Sequence, residues 1–206
     1  MMSNSKTSAM LAAAAAIAMS APAAVSAQNA DVERSNTYSG TLSPLNESGV
    51  TGTFTIEQRG QGQIRVMIQA TGLEVIDQPH VGHIHGLEGN TEAMCPTTAQ
   101  DDDNDGFIEL GEGVDTYGPI IVPLGDVDPD NDGVVNYSMT FNLNRSGSFA
   151  DGKSKSDLLP LELREIVLHG LTLQDGDGSN GGEADGTAGY KTVLPVACGS
   201  ITMNAR

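Results

Sequence analysis

The stretch Gly52-Thr-Phe-Thr-Ile-Glu-Gln58 alternates polar and apolar residues with a period of two, which sets Phe54 and Ile56 on one face of an extended strand. Working outward, the run extends over 50–58. Seven more short runs are alternating or β-branched and end at turn residues: 37–42, 63–70, 80–85, 119–124, 134–143, 165–170 and 192–203. Eight strands with turns between them predict an all-β antiparallel sandwich or barrel. Only 157–163 hints at a short helix or turn. Three long acidic or glycine-rich loops, 86–118, 125–133 and 174–189, interrupt the strands, and loops of that length in a compact domain carry function or are disordered. The last reads as a solvated linker.

The first 27 residues read as an export signal. Lys6 is the only charge, Met10 to Met19 is an alanine-rich apolar run, and Val25-Ser-Ala27 offers small residues for cleavage before Gln28. The apolar run is too short to span a bilayer comfortably, and no second apolar segment suggests an anchor. Residues 28–35 are expected to be a flexible N-terminus and 36–206 a single domain, placed in the periplasm or outside the cell. With Lys6 removed, nine basic residues face 27 acidic ones, a formal charge of −18. Such a surface disfavours nucleic acid and anionic lipid and favours cations. The two cysteines, Cys95 and Cys198, read as one disulfide in an exported chain, closing a loop of about 100 residues worth on the order of 4 to 5 kcal/mol in the chain-entropy treatment.

Four histidines occur, and three fall within six residues: His80, His83 and His85 in Pro79-His-Val-Gly-His-Ile-His-Gly86. The fourth, His169, sits in Arg164-Glu-Ile-Val-Leu-His-Gly170. Residues two apart on a strand share a face, so His83 and His85 point the same way. With His169 from a partner strand they form a three-imidazole set suited to copper or zinc, with positions left open for another ligand. His80 is expected as a fourth ligand or as a group that fixes an imidazole's orientation.

The run Asp101-Asp-Asp-Asn-Asp-Gly-Phe-Ile-Glu-Leu-Gly-Glu112 fits the twelve-position calcium loop of EF-hands. Asp101, Asp103, Asp105, Glu109 and Glu112 supply oxygens at positions 1, 3, 5, 9 and 12. Phe107 offers its carbonyl at 7, Gly106 permits the sharp turn and Ile108 fills the apolar eighth position. Five carboxylates this close repel one another without a cation. No flanking helix pair is read around the loop, so it is expected as a structural insertion in a β fold. A second run with Asp128, Asp130 and Asp132 repeats the start of the pattern, but its twelfth position is Met139. It is a weaker calcium candidate, and Asp175-Gly-Asp-Gly is weaker still.

His83-Ile-His85, then Gly89-Asn-Thr and Cys95, resembles the copper strand of copper/zinc superoxide dismutases. Arg164 to His169 looks like the later strand that supplies another copper ligand, and Ala197-Cys198-Gly199-Ser-Ile201 is similar to that family's second cysteine segment. His80 matches a supporting histidine. A closer overall likeness is to bacterial CHRD (chordin-type) domain proteins, with the H-I-H-G strand, Tyr117 to Leu124 as a Y-G-P-I-I-x-P-L segment, and the I-V-L-H-G strand. The resemblance implies an eight-stranded Greek-key β-sandwich of the dismutase type with long metal-binding loops, and copper at His83, His85 and His169. The departures are specific. Residues 96–163 contain no histidine, so the bridging and zinc-binding histidines of a dismutase have no counterpart. The dismutase's active-site arginine place is taken by Pro195, with Lys191 the nearest cation.

These readings favour an exported metal-binding protein with copper and structural calcium. Two rivals stand beside it: a copper-only superoxide dismutase, slow for want of its arginine, and an interaction module whose histidines are structural. No serine-protease-like or cysteine-nucleophile arrangement and no phosphate-binding glycine motif stands out.

Overall fold

The computed structural model describes residues 1, 35–174 and 188–205. Residues 2–27 of the export-signal segment, nearly all of the 28–35 segment, and Asp175-Gly-Asp-Gly lie outside the described residues. The described strands all belong to the compact unit Glu33–Arg206.

The β pattern holds. In chain order the strands are β1 (Ser35–Pro44), β2 (Thr51–Arg59), β3 (Gln63–Thr71), β4 (Val81–His85), β5 (Ile120–Asp126), β6 (Val134–Asn142), β7 (Glu165–Leu173), β8 (Gly189–Ser200) and the short β9 (Thr202–Met203). They run in the order β5-β4-β7-β8-β1-β2-β3-β6, with β9 on β1. Every pairing is antiparallel. The arrangement is the expected all-β Greek-key sandwich. Strand β1 joins its halves by pairing with β2 along most of its length and with Ala197 and Cys198 of β8 at its end. The expected last strand, 192–203, is divided near Ile201.

Alternation sets the interior. Phe54 and Ile56 lie opposite Ile68 and Val66 of β3, and all four are buried in the main core. From the other half, Ile84 of β4, Val122 of β5 and Ile166 and Leu168 of β7 enter the same core. The alternate residues of β7, Glu165, Val167 and His169, point to the opposite face, yet they are buried too. A second, smaller cluster of Leu45, Ile108, Tyr117, Val167 and Cys198 covers that face. The long loop after β4 therefore lies on the sheet and closes it from solvent.

Part of that loop is a helix the sequence pattern did not suggest: α1 (Leu110–Tyr117). Gly111 and Gly113 are poor helix formers, so local propensity argues against it. The Glu112 carboxylate offsets this by accepting a 3.0 Å hydrogen bond from the Glu109 N–H at the helix start. At the other end Gly118, at φ 81°, donates its N–H to the Val114 carbonyl at 2.8 Å. A Cβ at Gly118 would lie 2.3 Å from the backbone of Gly86, so only glycine lets the helix end touch the end of β4. The expected turn near 157–163 is present as α2 (Lys155–Leu158) and a 3₁₀ turn at Leu161–Leu163.

Arg164 secures the start of the loop. It is fully buried, and its guanidinium donates to the carbonyls of Leu158, Leu87, Thr91, Leu163 and Gly89 at 3.1–3.4 Å. Arg164→Met removes every one of these donors while keeping the apolar stem. We expect a loss on the order of 3 kcal/mol in urea unfolding, since buried carbonyls without partners each cost about 1–3 kcal/mol; a loss below about 0.5 kcal/mol contradicts this role.

Candidate metal centre

The sheet register explains how distant histidines meet. In β4, His83 and His85 lie opposite Val167 and Glu165 of β7, and His169 lies opposite Val81. All three imidazoles thus project from the loop-covered face. Their ring centroids are 5.3 Å (His83–His85), 4.9 Å (His83–His169) and 5.5 Å (His85–His169) apart. One ring nitrogen from each lies within 4.8 Å of the other two.

Backbone carbonyls set two of the rings. His85 Nδ1 is 2.8 Å from the Gly118 carbonyl and His169 Nδ1 is 2.8 Å from the Val193 carbonyl. A carbonyl only accepts, so both Nδ1 atoms carry the proton and both Nε2 atoms present lone pairs. Those two Nε2 atoms face each other at 3.4 Å. The third ring, His83, has a buried Nδ1 with no hydrogen-bond partner. Burial pushes the His83 imidazole down to about 4. Burial, partly opposed by the Gly118 carbonyl, takes His85 down to about 3. Burial with the repulsion of its two neighbours holds His169 well below the usual range. The rings are uncharged at neutral pH, and the Nε2 lone pairs of His85 and His169 meet with no proton between them. These residues fit a cation bound by imidazole nitrogen, copper or zinc.

Tyr117 walls the cluster. Its ring sits 4.6 Å from His85 and 6.5 Å from His169, and it lies back against Gly113, where a Cβ would meet it at 2.5 Å. His80 stands outside the three-nitrogen group. It is fully buried, with Nε2 2.9 Å from the Glu74 carbonyl and Nδ1 3.4 Å from the Tyr190 hydroxyl, which donates to the Pro79 carbonyl. Pro195 pairs directly with His169 on β8.

The acidic loop forms a turn around its own carboxylates. Oxygens of Asp101, Asp103 and Glu112 come within 4.8 Å of one another. Asp101 accepts from the N–H groups of Asp105 (3.1 Å) and Gly106 (3.0 Å), and Asp105 Oδ1 accepts from Phe107 N–H (2.8 Å). Asp105 Oδ2 is buried without a partner, and Glu109 is wholly buried. Burial pushes the Glu112 carboxyl up, but hydrogen bonds from Glu109, Asp102 and Asp103 outweigh this and leave it lowered. Where no flanking helix was expected, α1 leaves the loop from position 10. One residue had no signal in the sequence. The Asn46 side chain, 62 residues before Ile108, accepts from Ile108 N–H (2.8 Å) and donates to the carbonyls of Ile108 and Pro195 (3.0 Å each), tying the loop to β8. The second run also gathers Asp128, Asp130 and Asp132 within 4.8 Å. There Asp128, fully buried, already accepts from the N–H groups of Asp132 and Gly133. Met139, its twelfth position, is exposed on β6.

Cys95 and Cys198 form a disulfide spanning 103 residues. It joins the covering loop to β8 beside the histidine face. No helix among the described residues is long and apolar enough to cross a membrane.

Neither a family model nor a curated protein matches the chain. Among solved structures, it is similar to three single-residue variants of superoxide dismutase 5 from Candida albicans. Each is 16% identical with a TM-score of 0.39. The matches cover 83–84% of this chain and 92–94% of theirs.

The depressed imidazoles give the metal-free protein a defined pH dependence. Between about pH 6.5 and 4 the unfolded chain takes up protons that folded His83 and His85 refuse, so stability falls as pH falls through that window. Glu165 works in the opposite sense: burial raises its folded carboxyl to about 7, so its contribution is complete below 4.5 and is lost as pH rises through 7. Urea midpoints followed from pH 4 to 8 should show His85→Gln flattening the acid loss and Glu165→Gln flattening the loss toward neutrality. Unchanged pH profiles in both variants contradict these assignments.

Proposed function

We propose that this chain is an exported metal-binding β-sandwich protein, periplasmic or secreted, that holds copper at His83, His85 and His169 and structural calcium at Asp101, Asp103, Asp105, Phe107, Glu109 and Glu112. One observation carries the copper reading: two Nε2 lone pairs, each fixed by a backbone carbonyl behind it, face each other at 3.4 Å in a buried cluster. Without a shared proton this contact is repulsive, and a bound cation converts it into two bonds. Neutral imidazole donors favour copper above zinc in the divalent affinity order. The His83-Ile-His85 strand and the Arg164 to His169 strand, which resemble the copper strands of superoxide dismutases, support the same reading. Copper, when bound, supplies one-electron redox chemistry. The chain's own residues orient the imidazoles, keep them neutral and, through Tyr117, shield one flank.

The calcium reading rests on the twelve-position spacing and on the convergence of Asp101, Asp103 and Glu112. The strongly negative chain, −17 in all, favours cation uptake at both places. The second aspartate run remains the weaker calcium candidate. An enzymatic reading, dismutation of superoxide, has less to support it, because Pro195 rather than a cation lies beside His169.

Elemental analysis of protein purified from the exported fraction tests the proposal. We expect close to one equivalent of copper, lost in His83→Ala/His85→Ala, and calcium that Glu112→Gln weakens on the order of 10- to 100-fold while copper is retained. Absence of copper and zinc from native and copper-reconstituted protein alike contradicts the histidine site. Equal calcium affinity in Glu112→Gln contradicts the loop site.

A further inference from the structure

Glu165 has no role in the histidine site, yet it is a carboxyl with 2% of its surface exposed. No cationic side chain lies within 4.0 Å of it among the described residues. Burying a carboxyl in this way is unfavourable, and a hydrogen bond with the Ser200 side chain offsets only part of that cost. Its Oε2 lies against the disulfide, 3.1 Å from Cys95 Sγ and 3.8 Å from Cys198 Sγ. The oxygen and the two sulfurs fall within 4.8 Å of one another.

We propose that Cys95, Cys198 and Glu165 form a second, redox-gated metal site, which holds a zinc-class divalent cation when the disulfide is reduced. A tetrahedral ion with two thiolates at about 2.3 Å and a carboxylate oxygen at about 2.0 Å sets each oxygen–sulfur separation near 3.5 Å and the sulfur–sulfur separation near 3.8 Å. The two oxygen–sulfur distances already bracket the first value. Only the sulfurs must part. Two thiolates with one carboxylate are a borderline-soft donor set that suits zinc, and three protein ligands leave a fourth position for solvent.

Access is open on one side. A surface cleft of about 510 Å³, lined by Thr41, Ser43, Ser200 and both cysteines, reaches the bridge. Cys95, part-exposed, is the sulfur an incoming thiol meets, while Cys198 is buried. Reduction by a dithiol breaks the Cys95–Cys198 bond, closes the dithiol's own disulfide and leaves two thiols. Metal binding then forms two metal–sulfur bonds and releases the two thiol protons. Bridge and metal use the same sulfur electrons and exclude one another. Oxidation therefore ejects the ion, and the ion protects the thiols.

The test uses the full chain carrying His83→Ala and His85→Ala, so that the histidine cluster takes no metal. Its outcome is then independent of the copper reading. The bridge is reduced under argon with a water-soluble phosphine, which becomes the phosphine oxide, and cobalt(II) is titrated as the probe. We expect near-ultraviolet thiolate-to-cobalt absorption that saturates at one equivalent and disappears on adding zinc or an oxidant. It should be absent in Cys95→Ser/Cys198→Ser. Glu165→Gln should weaken cobalt at least on the order of tenfold, the loss that even outer partners of a metal ligand carry. No thiolate–cobalt absorption in the reduced, folded chain overturns the proposal, and so does equal affinity in Glu165→Gln. If reduction unfolds the chain, the proposal requires zinc or cobalt to restore its β circular dichroism, and failure to do so also overturns it.

Discussion

The contact on which the site depends is the 2.8 Å hydrogen bond between His85 Nδ1 and the Gly118 carbonyl. It joins the end of β4 to the end of α1, two points 33 residues apart, and decides which imidazole nitrogen keeps its lone pair. The backbone must come very close to make it. Gly118 lies where any side chain would strike Gly86, and Gly86 lies where a Cβ would strike Arg164. Arg164 in turn grips the carbonyls of Leu87, Gly89 and Thr91. The loop that seems an insertion in the sequence is thus bolted to the sheet face that carries the histidines.

That covering resolves an apparent conflict in β7. A strand whose residues are all buried normally lies between two layers. Here Ile166 and Leu168 face the sandwich interior, while Glu165, Val167 and His169 face the loop and α1. Burial from the second side makes the histidines poor bases, because it penalises the imidazolium and leaves neutral nitrogen. The same burial leaves Glu165 beside the disulfide without a cation. One layer of chain, residues 86–118, accounts for both chemistries on this face.

The strands were legible because a half-buried strand needs period-two alternation, as at Phe54 and Ile56. The histidine trio was legible because histidine is scarce here, His83 and His85 are two apart on one strand, and His169 lies in a second apolar strand. Helix α1 was not: Gly111 and Gly113 lower its propensity, and what holds it is the Glu112 cap and the packing of Tyr117, which are tertiary facts. The carbonyls of Gly118 and Val193 that fix the rings belong to the backbone, which leaves no trace in residue type. Asn46 reaches the acidic loop from 62 residues away, and nothing local marks it. Glu165 reads as an ordinary polar residue at a strand start until the register sets it against two sulfurs.

The central claim is that three imidazoles converge on one ion. X-ray absorption at the copper edge, on protein loaded with one equivalent, tests it most directly. The account predicts imidazole multiple scattering from three rings in the wild-type chain, reduced to the contribution of two in His169→Ala. A spectrum lacking imidazole scattering, or one that His169→Ala leaves unchanged, contradicts it.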